Sequence, residues 1–489
     1  MIRADGRLGH ELSPEEHLPQ DACGVFGIFA PDEDVARLTY FGLYALQHRG
    51  TESAGIAVSD GESIMVYKDM GLVAQVFNDS NLEGLKGYIA VGHTRYSTTG
   101  SSNWENAQPT FHSSEHRQIA LGHNGNLMGV DKLQDVLIDE KRIIDGKKLR
   151  GTSDTEVVAA LIASNPLPTT NEALLVELPR LKGAFSFVLT DAKSLIGIRD
   201  PNGIRPLVIG ELDKGYVITS ETAALDIVGA RFIREVEPGE IVTINETGIS
   251  SARFAKATPT HCLFEYVYLA RPDTNLSGRS VHATRVEVGR RLAHEHPAPG
   301  ELVIPVPDSG TPAAVGYAQA SGIPFAQGLI KNAYVGRTFI QPTQTIRQLG
   351  IKLKLNPLRE VIEGRRLVVV DDSIVRGNTQ KAIIKMLKDA GALEVHVRIS
   401  APPVLWPCFY GIDFAQRTEL IGHERTIDEI REFIGADSLG YVSLDSLIQA
   451  TKQAANTLCK ACFDGKYPIE VAEDVKLGKH HRELPVLND

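Results

Sequence analysis

Two adjacent carboxylates close an apolar run in VVVDDSIVRGNT (368–379), and this string carries the sharpest chemistry in the chain. The run predicts a buried strand, and the small and hydroxyl residues after it predict a loop that opens into a helix. Main-chain N–H groups at such a helix start seat a phosphate, helped by the Ser373 and Thr379 hydroxyls. Asp371 and Asp372 are placed to reach sugar hydroxyls and a divalent cation such as Mg2+. No G-x-x-x-x-G-K-[ST] occurs, which excludes an ATP-type phosphate loop. A second loop, VPDSGTPAA (306–314), offers Asp308, Ser309, Gly310 and Thr311 to a pyrophosphate. Between the two lies a segment (331–354) with Lys331, Arg337, Arg347, Lys352 and Lys354 and no acidic residue, in a chain of net charge -10. Such a stretch suits a lid that folds over a polyanion and excludes water; the plainer alternative is a solvated basic loop.

A second chemistry centres on Cys23, which follows a polar leader and precedes a strand. The leader, residues 1–22, carries Asp5, Glu11, Glu15, Glu16 and Asp21 against Arg3 and Arg7, with no apolar stretch, so it is not a secretory signal. Removal of the leader gives Cys23 a free α-amine with a reference pKa of about 8. That amine can take the thiol proton, which unites nucleophile and base in one residue, as in N-terminal threonine enzymes. The bland reading is a small buried hydrophobe. An amide hydrolase acting on an amino acid also needs two oxyanion donors, a cation for the carboxylate and an anion for the ammonium. GHNGNL (122–127), read as a tight Asn-Gly turn, can aim the Asn124 amide and the Gly125 N–H at one point. GHTRYSTTG (92–100) supplies Arg95, and GTSDTE (151–156) puts Asp154 at a helix start.

Five cysteines are scattered through a chain with no export signal, which disfavours structural disulfides. Cys459 and Cys462 form C-x-x-C, with Cys262 and Cys408 far away in sequence. Four thiolates suit a tetrahedral Zn2+ or a [4Fe–4S] cluster, and spacing leaves these open beside four unrelated thiols.

At 489 residues the chain is too long for one core. From Cys23 to about residue 250, short β-type runs (24–30, 118–123, 184–191, 240–244) alternate with helical stretches at 34–47 and 153–164. A polar connection is expected near 250–258. Beyond it, helices (278–296, from Thr311, 378–390) alternate with strands (301–308, 366–372, 394–400), the pattern of a parallel α/β sheet. The net charge of -10 argues against a nucleic-acid partner. No apolar run approaches the roughly 18 residues that cross a bilayer.

In order and spacing, CGVFGI, LQHRGTESAG (46–55), GHTRYSTTG, HNGNL and SDTE resemble the N-terminal-nucleophile glutamine amidotransferases. The strings at 306–314, 331–354 and 368–379 are similar to the type I phosphoribosyltransferase half of the amidophosphoribosyltransferase family, and the two halves cover nearly the whole chain. One departure is Thr51, where QHRGQ is commoner. The resemblance implies an α/β protein: a propeptide (1–22), an αββα amidotransferase sandwich (23–255), and a phosphoribosyltransferase domain with a parallel sheet and a cysteine-bearing C-terminal segment (256–489). It implies Cys23 as nucleophile, Asn124 and Gly125 as oxyanion hole, and Arg95, Asp154 and Arg49 around glutamine. It implies phosphoribosyl pyrophosphate (PRPP) on Lys331, Asp371, Asp372, Ser373, Arg376, Gly377, Asn378 and Thr379, with Mg2+ on Ser309, Asp371 and Asp372. The contexts of Cys262, Cys408, Cys459 and Cys462 resemble the branch of the family that carries a [4Fe–4S] cluster. The expected reaction makes 5-phosphoribosylamine, the first committed step of purine synthesis, in a cytoplasmic homotetramer inhibited by purine nucleotides. The alternatives are a glutaminase with another acceptor, which the 368–379 string opposes, and a PRPP-binding regulator, which would not need the amidotransferase segments.

Overall fold

The computed structural model describes residues 23–96, 103–140, 142, 149, 152–332, 354–412 and 417–471. The leader (1–22), residues 97–100 of GHTRYSTTG, Gly151 and most of the basic segment (333–353) lie outside the described residues, and so do the expectations placed on them. The described chain forms two compact units: residues 23–282, 408–412 and 451–471 in one, and 283–407 with 417–450 in the other.

The first unit is built on two antiparallel sheets. One has seven strands in the order Arg231–Glu235, Val208–Leu212, Gly215–Thr219, Gly24–Phe29, Ile89–Arg95, Ser53–Ser59 and Ile64–Met70. The other has six: Gly248–Arg253, Glu240–Asn245, Leu195–Arg199, Lys182–Thr190, Gln118–Met128 and Thr110–Ser113. Central strands such as Gly24–Phe29 are buried along their whole length, so polar alternation is missing from their sequence. Phe26 and Ile28 point one way, into a core with Val35, Ala36 and Leu43 of the helix Val35–Ala45. Val25 and Phe29 point the other way and meet Val188, Leu195 and Val242 of the second sheet. The sheets press close at Gly27, where a Cβ would stand 2.5 Å from Val188 Cγ1. On the far face of the six-stranded sheet, Phe185, Phe187 and Leu189 share a core with Leu133, Val157, Leu161 and Leu174 from three helices. The layers run helix, sheet, sheet, helix.

The polar connection expected near 250–258 is found only from residue 254, where helix and strand are absent up to 260. Gly248–Arg253 is an edge strand paired with Glu240–Asn245, and its letters look loop-like because one side faces water. The change of unit falls after residue 282, not 255. Residues 256–282 stay with the first unit for a physical reason. Cys262 pairs in parallel with Cys459, and the buried Glu265 carboxylate is held by Arg49 and Arg205.

The second unit has a four-stranded parallel sheet, ordered Leu302–Pro305, Arg366–Asp371, Glu394–Ile399 and Ser438–Tyr441. Leu302, Ile304, Leu367, Val369, Val395 and Val397 form a core with the helices Asn378–Asp389 and Ile427–Ile434. Pro305 lies opposite Val370, so the loops that leave these two strands emerge side by side, as ligand sites of parallel sheets require.

Candidate functional site

In the first unit Gly24 pairs with Thr94, which brings Cys23 beside Arg95 at the end of the neighbouring strand. Cys23 Sγ donates to the Tyr96 carbonyl at 3.2 Å, and the Tyr96 N–H approaches the sulfur at 3.4 Å. Burial pushes the thiol up to about 11 against the opposing pull of the Tyr96 hydrogen bond and the Arg95 charge. A thiol so placed is neutral at pH 7 and needs a base before it can attack. Arg95 is buried, with Nη1 3.6 Å from Glu52 Oε2.

Asn124 and Gly125 do not form a turn. They lie inside the strand Gln118–Met128, opposite Ser186 and Phe185, and the ladder continues to Met128. The glycine serves close approach: its φ is +148°, and a Cβ would stand 2.0 Å from the Ala184 carbonyl oxygen. The Asn124 side chain is fully buried, and among the described residues neither Oδ1 nor Nδ2 has a hydrogen-bond partner. An orphaned buried amide costs about 1–3 kcal/mol. The Asn124 amide is therefore open to a hydrogen bond from water or a ligand.

Asp154 opens the helix Asp154–Ser164, where Ser153 Oγ caps the Glu156 N–H. Burial works to raise its carboxyl. His123, 3.5 Å away, and the Leu127 N–H at 3.0 Å outweigh it and hold the group at about 2, so it is an anion. Through Leu127 it is tied to the strand that carries Asn124.

Arg49 departs from its expected role at glutamine. Its guanidinium is fully buried and taken up by two carboxylates, Glu221 and Glu265, the latter at 2.7 Å. Its neighbour Gly50 lies against the Thr94–Arg95 main chain, where a Cβ would stand 2.4 Å from the Thr94 carbonyl carbon. The QHRG element thus supports Arg95 from behind. Sequence reasoning missed Glu221, Glu265, Arg205 and His123, because nothing in an isolated glutamate or histidine betrays a partner 172 or 216 residues away.

Cys262, Cys408, Cys459 and Cys462 line one cavity of the same unit, together with Arg205 and Tyr410. Burial raises the Cys262 thiol to about 11 and lifts Cys459 and Cys462 as well, with the other sulfurs adding to the rise. Arg205 Nη1 sits 3.8 Å from Cys262 Sγ, a buried cation against the sulfur set. Among the described residues no three His, Cys, Asp or Glu converge to hold one metal ion. Four cysteines around one cavity form a donor set that a [4Fe–4S] cluster or a tetrahedral Zn2+ could use.

In the second unit Asp371 ends the strand Arg366–Asp371 and Asp372 follows it, both buried. Burial and the neighbouring Asp372 raise the Asp371 carboxyl well above its ordinary range. Burial also raises Asp372, moderated by hydrogen bonds from Ser309 and Ser373 and by the Arg285 charge. Gln380 Nε2 donates to Asp371. Ser309 and Gly310 belong to the adjacent loop, where a Cβ on Gly310 would lie 3.1 Å from Asp371 Cα. Gly377 has φ +81° and starts the helix Asn378–Asp389, whose first N–H groups are aimed out of the loop. Arg376 pairs with Glu419, and Lys331 pairs with Asp308. The structure therefore brings Ser309, Asp371, Asp372, Ser373 and the 376–379 backbone to one place. Two carboxylates and a hydroxyl could hold Mg2+ only with further oxygens from water or a pyrophosphate.

A glutamine amidotransferase family model matches residues 93–226, and a phosphoribosyl transferase model matches 300–401. The amidophosphoribosyltransferase of Mycobacterium tuberculosis is 57% identical over 484 residues, covering 97% of this chain and 92% of that one. The chain belongs to the amidophosphoribosyltransferase family. The amidophosphoribosyltransferase of Synechococcus elongatus is 50% identical, with 94% of each chain covered. Among solved structures, an allosteric regulatory enzyme of purine biosynthesis superposes with a TM-score of 0.88 at 45% identity, covering 95% of this chain and 100% of that one. The glutamine PRPP amidotransferase of B. subtilis, complexed with ADP and GMP, gives 0.86 at 45% identity, with 92% and 98% covered. These likenesses match the sandwich and the parallel-sheet unit described above. Among the described residues no helix is long and apolar enough to cross a membrane.

Proposed function

We propose that the chain hydrolyses glutamine at Cys23 and uses the ammonia to convert PRPP to 5-phosphoribosylamine and pyrophosphate, the first committed step of purine synthesis. The observation that carries the choice of acceptor is the buried Asp371–Asp372 pair at the carboxyl end of a parallel sheet, a site that other glutamine amidotransferases do not need.

Once residues 1–22 are removed, the Cys23 α-amine takes the thiol proton and Sγ attacks the glutamine amide carbon. Asn124 Nδ2 and the Gly125 N–H receive the oxyanion. Arg95 holds the α-carboxylate and Asp154 the α-ammonium. The Cys23 α-ammonium gives its proton to the amide nitrogen, collapse of the tetrahedral intermediate expels ammonia, and the thioester left on Sγ is hydrolysed by water to glutamate. Ammonia then attacks the anomeric carbon of PRPP, and the bond to pyrophosphate breaks. Asp371 and Asp372 hold the ribose hydroxyls, and the loop 373–379 holds the 5'-phosphate. Ser309, Asp371 and Asp372 would hold Mg2+, which when bound neutralises charge on the departing pyrophosphate. Lys331 adds positive charge beside the Ser309 loop, where the pyrophosphate would lie.

The four cysteines are read as ligands of one [4Fe–4S] cluster of structural role, supported by their common cavity and the Arg205 counter-charge. Purine-nucleotide inhibition, a homotetramer and a cytoplasmic location complete the reading.

Replacing Cys23 by Ser should abolish glutamine-dependent amination while leaving amination by free ammonia intact. Replacing Asp372 by Asn should abolish both. If the Cys23 variant lost both activities together, the two-site scheme would fail. Anaerobic iron and sulfide analysis should give a cluster-equivalent of iron, lost on Cys462→Ser; full activity with zinc alone would overturn the cluster reading.

A further inference from the structure

We infer that the segment Phe409–Gly411 is a positioning element for the Gly125 peptide of the glutaminase oxyanion hole. The inference rests on the assignment of Asn124 and Gly125 as oxyanion donors.

Gly125 is gripped from one side by its own sheet, through the Ala184 carbonyl. The other side is met by Gly411, whose φ is +101°; a Cβ there would lie 3.0 Å from both the Cα and the carbonyl carbon of Gly125 and 3.1 Å from its oxygen. One residue on, Asn126 Nδ2 donates to the Phe409 carbonyl at 3.1 Å. Two consecutive residues of the catalytic strand are thus fixed against a segment distant by 283 residues in sequence.

That segment is itself held rigidly. The Tyr410 carbonyl accepts from Arg205 Nε at 2.9 Å and Nη2 at 2.8 Å, and the same guanidinium binds Glu265 at 3.1 Å. The Tyr410 hydroxyl donates to the Ile469 carbonyl at 2.6 Å. Cys408, the residue before the segment, lines the four-cysteine cavity. Arg205 and Tyr410 are both buried to within 1%.

Oxyanion donors lower a barrier only when they already point at the developing charge. A peptide whose neighbour lies at contact distance cannot drift, and a shift of a fraction of an ångström weakens both donors at the transition state more than in the ground state. Phe409–Gly411 has no side chain at the reacting atoms in this account. Its effect is on kcat through the placement of Gly125.

The test uses the full-length protein and compares Gly411→Ala, Asn126→Ala and Asn124→Ala, with Asn126→Gln as the conservative variant. Each is assayed for glutamine kcat and KM, for ammonia-dependent amination, and for binding of glutamate γ-semialdehyde, whose hemithioacetal with Cys23 places an oxygen in the hole. Asn124→Ala should lower glutamine kcat by about 10^2–10^3-fold. Gly411→Ala and Asn126→Ala should lower it by about 10-fold or more with KM altered less than about 3-fold, weaken the aldehyde in parallel, and spare ammonia-dependent amination. Asn126→Gln should recover part of the loss. If Asn124→Ala leaves kcat unchanged, the oxyanion assignment itself is wrong. If Asn124→Ala acts as stated while Asn126→Ala keeps wild-type kcat and aldehyde affinity, the assignment stands and the positioning role is overturned, even should Gly411→Ala fail to fold.

Discussion

At the scale of single residues, the two sites are marked by groups the fold leaves electrostatically dissatisfied. Asp371 and Asp372 are buried side by side with raised carboxyl pKa values. An unfolded Asp titrates near about 3.9, so the folded pair adds most to stability below that pH, and the contribution is lost as pH rises through the raised folded values. Asp371→Asn removes one charge from this pair. The ligand-free variant should melt about 2–4 °C higher at pH 8 and show a smaller gain near pH 5, while amination from either nitrogen source is lost; scanning calorimetry and an assay on the same sample check both. A variant that melts lower at pH 8 than at pH 5 relative to wild type would contradict the sign. The arrangement of these residues was legible because VVVDDSIVRGNT puts strand, acid pair and helix-opening loop in one string. Arg49 was not legible in the same way: a motif gave its identity, but its two carboxylate partners come from distant parts of the chain.

At the scale of elements, strong local patterns located several of the central helices and strands. Helices expected at 34–47, 153–164 and 378–390 are found at Val35–Ala45, Asp154–Ser164 and Asn378–Asp389. The failures have a common origin, in that a local signal served a distant need. Asn-Gly is a turn signal, yet Gly125 sits mid-strand because Ala184 leaves no room for a Cβ. The polar letters at 248–253 belong to an edge strand. Glycine also governs the crossing of the helices Val281–Glu295 and Thr311–Ser321, where a Cβ on Gly316 would stand 1.9 Å from the Val286 carbonyl oxygen. Alanine is the better helix former by up to about 1 kcal/mol. Overpacking costs about 1–3 kcal/mol and often more against backbone. Gly316→Ala should therefore be a net loss, read as a lower urea midpoint at unchanged slope.

At the scale of the whole molecule, the two family matches follow one another in sequence, but the compact units do not. Residues 408–412 and 451–471 belong with 23–282; the grouping of Cys262, Cys408, Cys459 and Cys462 hints at this, but the contacts that hold it, Arg205 to Tyr410 and Cys262 beside Cys459, carry no local signal. A fragment ending at residue 255 should expose the buried Arg205 guanidinium with neither Glu265 nor the Tyr410 carbonyl to receive it. Loss of both partners of a buried charge is strongly destabilising, and the fragment should show no cooperative melt by circular dichroism; a sharp transition near that of the intact protein would refute this. The interleaving also bears on synthesis. A ribosome must deliver nearly the entire polypeptide before the earlier-made unit can close around its own late segments. A translation product abandoned midway would hold an unfinished hydrolase, and the cell's glutamine would be safe from it.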